Sequence, residues 1–385
     1  MPRPLPIAFL VAVLASPLPA QAQAQAPPPA DPSAEVFKPA GPVPRVRIAV
    51  DEENLKSLKG DSRKYAKCTV KIDDQTFENV GIHIKGAAGS GRPWDDKPAL
   101  TVNFDKFTKG QSWKGLDKIH LNNSVQDGSY LNEILCSELA AAMGLPTARA
   151  AHAVVELNGR KVGLYVLKEG YNAAFVRRNF PTQRDGNLYD GGFLTDIDGD
   201  LKLDAGTDVK RADLKAVAKA CQIGDAKKRF EEVSKLVDVD RFSTNAALQI
   251  LGTDWDGYVR NRNNYRVYLP TGGKAVFIPH GMDQMFQNPG EGLWHGWGGL
   301  AARAILDTPE GKKKALERLK EMTDKHFTPD KFNPRIDLWA KRAKEGLAAQ
   351  NKDWANQFEG EVKNEKNRLK ERYDLVRREL PKLMK

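Results

Sequence analysis

The sequence predicts an α+β protein in two lobes, the first rich in strands and the second mostly helical with one small β-hairpin. Three observations carry that prediction. Short β-branched or alternating apolar runs between turn signals fill the first half. Apolar residues at three- and four-residue steps dominate the second half. A single hairpin pattern interrupts the helical half, and a cleft between two such lobes is the natural place for a ligand.

Of the 385 residues, 1–24 read as a secretory signal peptide. Arg3 gives a short positive start, an apolar run covers 7–14, and Ala20, Ala22 and Ala24 offer A-x-A cleavage choices. The run is too short to span a bilayer permanently, and no other stretch approaches a transmembrane length. The mature chain is therefore expected outside the cytoplasm, secreted, periplasmic or at the cell surface, with no stable membrane insertion. Residues 25–44 are rich in Pro and Ala and read as a linker with no core of its own. The strand-rich lobe is expected over 45–170 and the helical lobe over 171–385.

Strands are expected at 46–50, 68–72, 81–85, 100–104 and 118–121. A helix follows, with Asp127 as its N-cap, Leu131, Ile134, Leu135, Leu139 and Met143 on one face, and Gly144 and Pro146 ending it. The runs 153–157 and 162–167 flank Asn158-Gly159, a type I′ hairpin signal. In the second half a helix spans 237–252 from a cap near Asp238. The hairpin there joins 265–269 to 275–279, and helices run through 300–323, 334–349 and 355–380.

Apolar residues make up 41% of the chain and charged ones 29%, which excludes a disordered polymer. The net charge of +10 favours anionic partners, although much of the excess sits on the C-terminal helices as a solvated face. No nucleic-acid motif appears. Cys68, Cys136 and Cys221 form no CxxC pair and no metal spacing.

The chemically informative stretch is DWDGYVRNRNNYRVYLPTGGKAVFIPHGMD, residues 254–283. A hairpin brings the start of its first strand beside the end of its second, so Asn264 and Asp283 should be neighbours, with Asp256 on the loop just before. Two carboxylates and an amide oxygen at a hairpin's open end form a hard-oxygen site suited to Mg²⁺. Phosphoryl transfer uses that layout: one Asp orients or deprotonates the attacking hydroxyl, and an Asn and a second Asp hold metal against phosphates. The other reading makes Asp254 and Asp256 turn caps and gives Asp283 a surface lysine.

The first half offers a second piece. Lys85, Gly86, Ser90 and Arg92 belong to the small-residue loop KGAAGSGR, whose N–H groups could approach phosphates closely. Lys97, just before the strand 100–104, is placed to hold the α- and β-phosphates. Glu133 on the Asp127 helix is its candidate partner, with Glu138 as the alternative.

With these residues in view, the chain resembles the CotH kinase family, named for spore coat protein H, which has an atypical protein-kinase-like fold. The matching stretches are IKGAAGS…DKPALTVNF, LNNSVQDGSYLNEIL, VELNGRKVGLYVLKEGYNAAF, GNLYD, TDWDGYVRNRNNYRVY and FIPHGMDQMF, in order from about 82 to 286. ARAILDTPEGKKKALERL looks like the family's C-terminal continuation. The resemblance implies a two-lobed kinase-like fold and transfer of phosphate from ATP, with Mg²⁺, to Ser or Thr of a protein substrate. It makes Lys97 the phosphate-binding Lys, Asp256 the catalytic Asp, Asp283 the metal Asp and Asn264 its metal-binding companion. Asn261 has the spacing of the usual kinase loop, but Asn264 adjoins the hairpin and is preferred. Glu169 matches a recurrent family Glu near the nucleotide base. Many relatives read PWDLD where this chain reads PHGMD, so Gly281 stands where they carry an Asp and His280 where they carry a Trp.

Two other functions compete: a non-catalytic surface or matrix binding protein on the same scaffold, and a nucleotidyl transferase. Of the cluster Asp196, Asp198, Asp200 and Asp204, the first three have Ca²⁺-loop spacing, but Leu201 stands where that loop wants Gly and no Glu closes it, so an acidic solvated turn is the other reading. Trp294 and Trp297 form either a substrate flap or helix packing. The six His show no zinc spacing.

Overall fold

The computed structural model describes Met1 and residues 31–385 apart from Ala88 and residues 349–351, and Pro32–Lys385 form one unit. The expected signal peptide, but for Met1, lies outside the described residues. The chain passes through a 3-10 turn, Ala34–Phe37, into β1 (Arg45–Ala49), whose side chains alternate outward and inward. Helix α1 (Glu52–Gly60) begins where the Asp51 carboxylate accepts from the Asn54 N–H at 2.8 Å. Strands β2 (Ala66–Ile72), β3 (Gln75–Lys85), β4 (Ala99–Asn103) and β5 (Lys118–Asn122) follow as an antiparallel run. Helix α2 (Asn132–Ala142) comes next, and Asp127 accepts the Asn132 N–H at 3.0 Å. The hairpin β6 (Ala150–Leu157) and β7 (Arg160–Glu169) turns on Asn158 and Gly159, both at positive φ as type I′ requires.

The sheet then closes. Strand order is β1-β2-β3-β4-β5-β7-β6, and β6 returns to pair in parallel with β1, from Arg45↔Val154 to Ile48↔Leu157. Inward residues such as Val46, Ile48, Val70, Ile82, Leu100, Val102, Leu121 and Val155 fill the interior.

After α3 (Ala173–Asn179) come β8 (Gly186–Asp190) and β9 (Lys202–Ala205), then α4 (Ala212–Cys221), α5 (Ala226–Leu236), α6 (Val239–Leu251) and the short α7 (Tyr258–Asn261). The expected hairpin is β10 (Tyr265–Pro270) with β11 (Val276–Pro279), but it is not isolated. It joins β8 and β9 in a four-stranded sheet ordered β11-β10-β8-β9. A 3-10 turn, Met282–Gln284, leads on to α8 (Leu300–Leu306), α9 (Pro309–Lys325), α10 (Pro329–Ala348) and α11 (Lys352–Leu383). The single helix expected over 300–323 is two, because Thr308 caps a new start with Pro309 in its first turn.

The two-lobed protein-kinase-like fold expected above is overturned. The α+β character stands, but the first half is a closed seven-stranded barrel rather than an open sheet forming one lobe. The helices are not segregated either: Ala340, Ala343 and Leu347 of α10 and Ala355 and Phe358 of α11 pack on Val154 and Leu164 of the barrel. Local pattern marks strands but not which pair, and the parallel β1–β6 pairing joins residues more than a hundred positions apart.

Two buried arginines fasten the helices. Arg342 of α10 donates to the carbonyls of Val36, Lys38, Pro42 and His152, so the Pro/Ala-rich segment from Ser33 onward is held against the fold. Arg372 of α11 donates to the carbonyls of Ile250, Leu251, Pro289 and Glu291. The three cysteines are buried free thiols, and burial pushes Cys68 and Cys221 up to about 12.

Candidate active site

A cavity of about 510 Å³ lies between the β3–β5 wall of the barrel and one end of the four-stranded sheet. The pairing Tyr265↔Pro279 places Asn264 opposite His280, and the His280 N–H donates to the Asn264 carbonyl at 3.1 Å. Asp256, on the loop after α6, is fixed by three amides. Asn261 donates to Oδ1 at 3.0 Å, Asn263 to both oxygens at 3.1 Å, and Asn264 to Oδ2 at 2.9 Å. Together these contacts fix both carboxylate oxygens at the cavity wall. Asp254, itself buried, is pushed up to about 8 by burial and then by the Asp256 charge.

Asp283 sits in the 3-10 turn that follows β11. The start of α2 holds that turn: Glu133 accepts the Met282 N–H at 2.9 Å, and Asn132 donates to the Met285 carbonyl at 3.0 Å. Among the described residues the Asp283 carboxylate has no hydrogen bond or ion pair. Burial and the neighbouring Glu133 charge push it up to about 6, while Lys168 and Lys85 pull it back. Lys85, at the end of β3, donates to Asn122 but has no carboxylate within ion-pair reach among the described residues. Burial and the Lys168 charge draw it down to about 7. An acid without its cation and a lysine without its anion therefore share one cavity.

Beneath them Lys168 of β7 and Glu133 form an ion pair, each 1% exposed. The Lys168 ammonium also donates to His280 Nδ1 at 3.3 Å, so His280 is neutral, and burial holds it well below the usual imidazole range. The loop after β3 bends at Gly86, φ 102°, and closes on itself through the Gly91 N–H to the Ala87 carbonyl at 2.7 Å.

The structure thus brings Lys85, Gly86, Ser90, Asp256, Asn264 and Asp283 to one cavity. It does not bring the others. Lys97 lies just before β4, but it lines a separate cavity of about 500 Å³, where it donates to the Tyr130 hydroxyl at 2.7 Å. Its expected partner Glu133 is taken by Lys168, and Glu138 by Arg335 at 3.0 Å. Glu169 is held by Arg149 at 3.2 Å and Arg178 at 2.9 Å. Arg92 turns back to the carbonyls of Gly89 and Gly91 at 3.1 and 2.8 Å.

Sequence reasoning missed Lys168 and Arg266. Both are charges inside apolar strands, YVLKEG and YRVYL, which is an available signal because a buried charge needs a partner. Arg266 reaches Asp190 at 3.0 Å and Asp204 at 2.9 Å. That pairing disperses the acidic run read as a calcium alternative: Asp196 caps α8 through the Leu300 N–H at 2.7 Å, and Asp200 pairs with Arg211. Trp297 is buried with Trp294 edge-on at 4.9 Å, which is helix packing rather than a flap.

A family model described as CotH kinase protein matches residues 82–378, the span holding all the side chains of this cavity except Arg63 and Tyr65. The chain belongs to the CotH kinase family. Inner spore coat protein H of Bacillus subtilis (strain 168) is similar to this CotH-family chain at 24% identity over 264 residues, covering 60% of this chain and 68% of that protein. No described helix is long and apolar enough to cross a membrane.

The Asp283 carboxylate and the Asn264 amide oxygen, both lining the cavity, suit a cation that keeps several waters and shares phosphate ligands, as Mg²⁺ does. Among the described residues no three acidic, His or Cys side chains converge as a metal cage. Gly281 explains the missing acid: its φ is 63°, and a Cβ there would stand 2.6 Å from Asn264 Oδ1. The Asn264 amide occupies the space that a side chain at 281 would need.

Proposed function

We propose that this protein is an exported phosphotransferase that carries the γ-phosphate of ATP, with Mg²⁺, to a Ser or Thr hydroxyl of a protein. The observation that carries the reading is the joint placement of Asp256, Asn264, Asp283 and Lys85 around one cavity, with Asp283 and Lys85 each without an ion-pair partner among the described residues. Asp283 and Asn264 are the groups to hold the metal; Lys85 and the N–H groups of Gly86 and Ser90 are the groups to hold phosphates. When bound, ATP would give up its γ-phosphoryl group and leave as ADP, and its metal would neutralise charge on the phosphate oxygens. Asp256 accepts the hydrogen bond of the acceptor hydroxyl and receives its proton. Its four N–H bonds keep it aimed while it does so. The Lys168–Glu133 pair positions the Met282–Asp283 turn from below.

The test is transfer of label from γ-labelled ATP to the protein itself or to a Ser-rich protein, with the product weighed by mass spectrometry. The expected result is a phosphate adduct made by wild type and lost at least a hundredfold in Asp256→Asn. A whole-nucleotide adduct would show nucleotidyl transfer instead. No label from wild type would favour a second reading, a binding protein of a surface layer. That reading draws on the relative's name as a spore coat protein and on the site having two carboxylates.

A further inference from the structure

The four-stranded sheet has two edges, and the fold seals one of them. Beyond β11, Asn245 of α6 donates to the Phe277 carbonyl at 3.3 Å, and Val237 bridges Ala275. The backbone of Ala275 exchanges hydrogen bonds with Leu236 at 2.7 Å and Asp238 at 3.0 Å. The barrel is closed and has no edge at all. Beyond β9 the case differs. Among the described residues, the backbone of Lys202–Ala205 bonds to β8 and to nothing else.

That open edge borders the active site. Lys202 and Asp204 of β9 line the same cavity as Asp256, Asp283 and Lys85. Large apolar side chains stand exposed on both sides of the strand in sequence: Phe193 at 57% and Leu194 at 41% before it, Val209 at 78% after it. Trp255, next to Asp256, is 47% exposed. An unpaired edge that lines the cavity, with exposed apolar groups flanking it in the chain, matches strand-addition recognition, in which main-chain bonds give affinity and alternate side chains give selectivity.

We propose that the free edge of β9 docks the protein substrate as an added β-strand, so that the acceptor hydroxyl reaches Asp256 from the chain continuing beyond the docked stretch. The partner is an extended, locally unfolded Ser- or Thr-containing segment, since a folded surface cannot lay a bare main chain along the edge. The transfer step rests on the phosphotransfer reading; docking itself does not. An added strand lies three strand spacings, about 14 Å, from β10, whose start adjoins Asn264 and hence Asp256. At about 3.3 Å per residue the acceptor sits about four residues from the docked stretch.

The probe is dephosphorylated casein, an unfolded Ser-rich protein, added in excess to the full chain while amide hydrogen exchange is followed with and without Mg²⁺-ATP. Exchange at Lys202–Ala205 is expected to slow at least tenfold. The double variant Leu194→Lys, Val209→Lys, both exposed and outside the cavity, should lose that protection. Where label is transferred, the variant should also raise KM for casein about tenfold and leave KM for ATP unchanged. Unchanged exchange at β9 overturns strand addition even if phosphate is transferred. Protection at β9 without transfer keeps the docking and removes the enzyme reading.

Discussion

Asp256 is held by amides rather than by a cation, and that choice sets what its neighbours do. Asn263 supplies two of its four N–H bonds, so Asn263→Ala should leave the carboxylate free to turn while the cavity keeps its shape. The expected outcome is a loss in kcat of about 10²-fold with KM for ATP nearly unchanged, read by steady-state kinetics. Gly281 supports a prediction in the opposite sense to intuition. Gly281→Asp restores the acid that many relatives carry, yet its Cβ would fall 2.6 Å from Asn264 Oδ1 on a left-handed backbone. The variant should lose about 1–2 kcal/mol of stability and bind Mg²⁺ more weakly, measured by urea unfolding and metal titration. Tighter metal binding would show that Asn264 moves aside at little cost. These contacts were only half legible. The hairpin geometry placed Asn264 beside Asp283, but nothing in spacing showed that three neighbouring Asn residues converge on one carboxylate.

Among the elements, α11 does more than cover the barrel. Its Arg372 takes the last two carbonyls of α6, the helix that ends just before Asp254, and two carbonyls of the loop after Asp283. A guanidinium at a helix C-terminus also meets the negative end of the dipole. Arg372→Met should take the guanidinium from two buried carbonyls, Ile250 and Leu251, and from the part-buried carbonyls of Pro289 and Glu291, and cost about 2–4 kcal/mol by urea unfolding. The same helix carries Glu365, buried and bonded to Arg368 at 3.1 Å. Burial, then the Asp127 charge, pushes it from its ordinary 4.5 up to about 7. The folded protein therefore binds this proton more tightly than the unfolded chain. Its contribution is fully present below about 4.5 and is lost as pH rises towards about 7, on the order of 3 kcal/mol in all. Glu365→Gln should be more stable than wild type at pH 8 and nearly equal to it at pH 4. Unfolding at the two pH values checks this, and an unchanged difference would refute it. The sequence showed α11 as an amphipathic helix with a basic solvated face; its inward Arg and Glu look the same in composition as the outward ones.

For the whole molecule, strands and helices were legible where period and turn chemistry agree, as at Asn158-Gly159 and at the cap Asp238. Closure was not. The β1–β6 pairing depends on residues far apart in the chain, and β8 and β9 are too short and polar to announce themselves. The consequence is functional, because the site forms where a barrel wall meets the end of a second sheet, and Lys97 falls on the wrong side of that wall. Whether Asp283 and Lys85 await a metal and its phosphates decides between an enzyme and a binding protein. Thermal unfolding with and without Mg²⁺-ATP, in wild type and Asp283→Asn, asks this directly. Wild type should be stabilised by about 2.7 kcal/mol at a ligand concentration a hundred times Kd, and Asp283→Asn should show little of that gain. Equal stabilisation of both proteins, or none in wild type, would contradict a nucleotide site at this cavity.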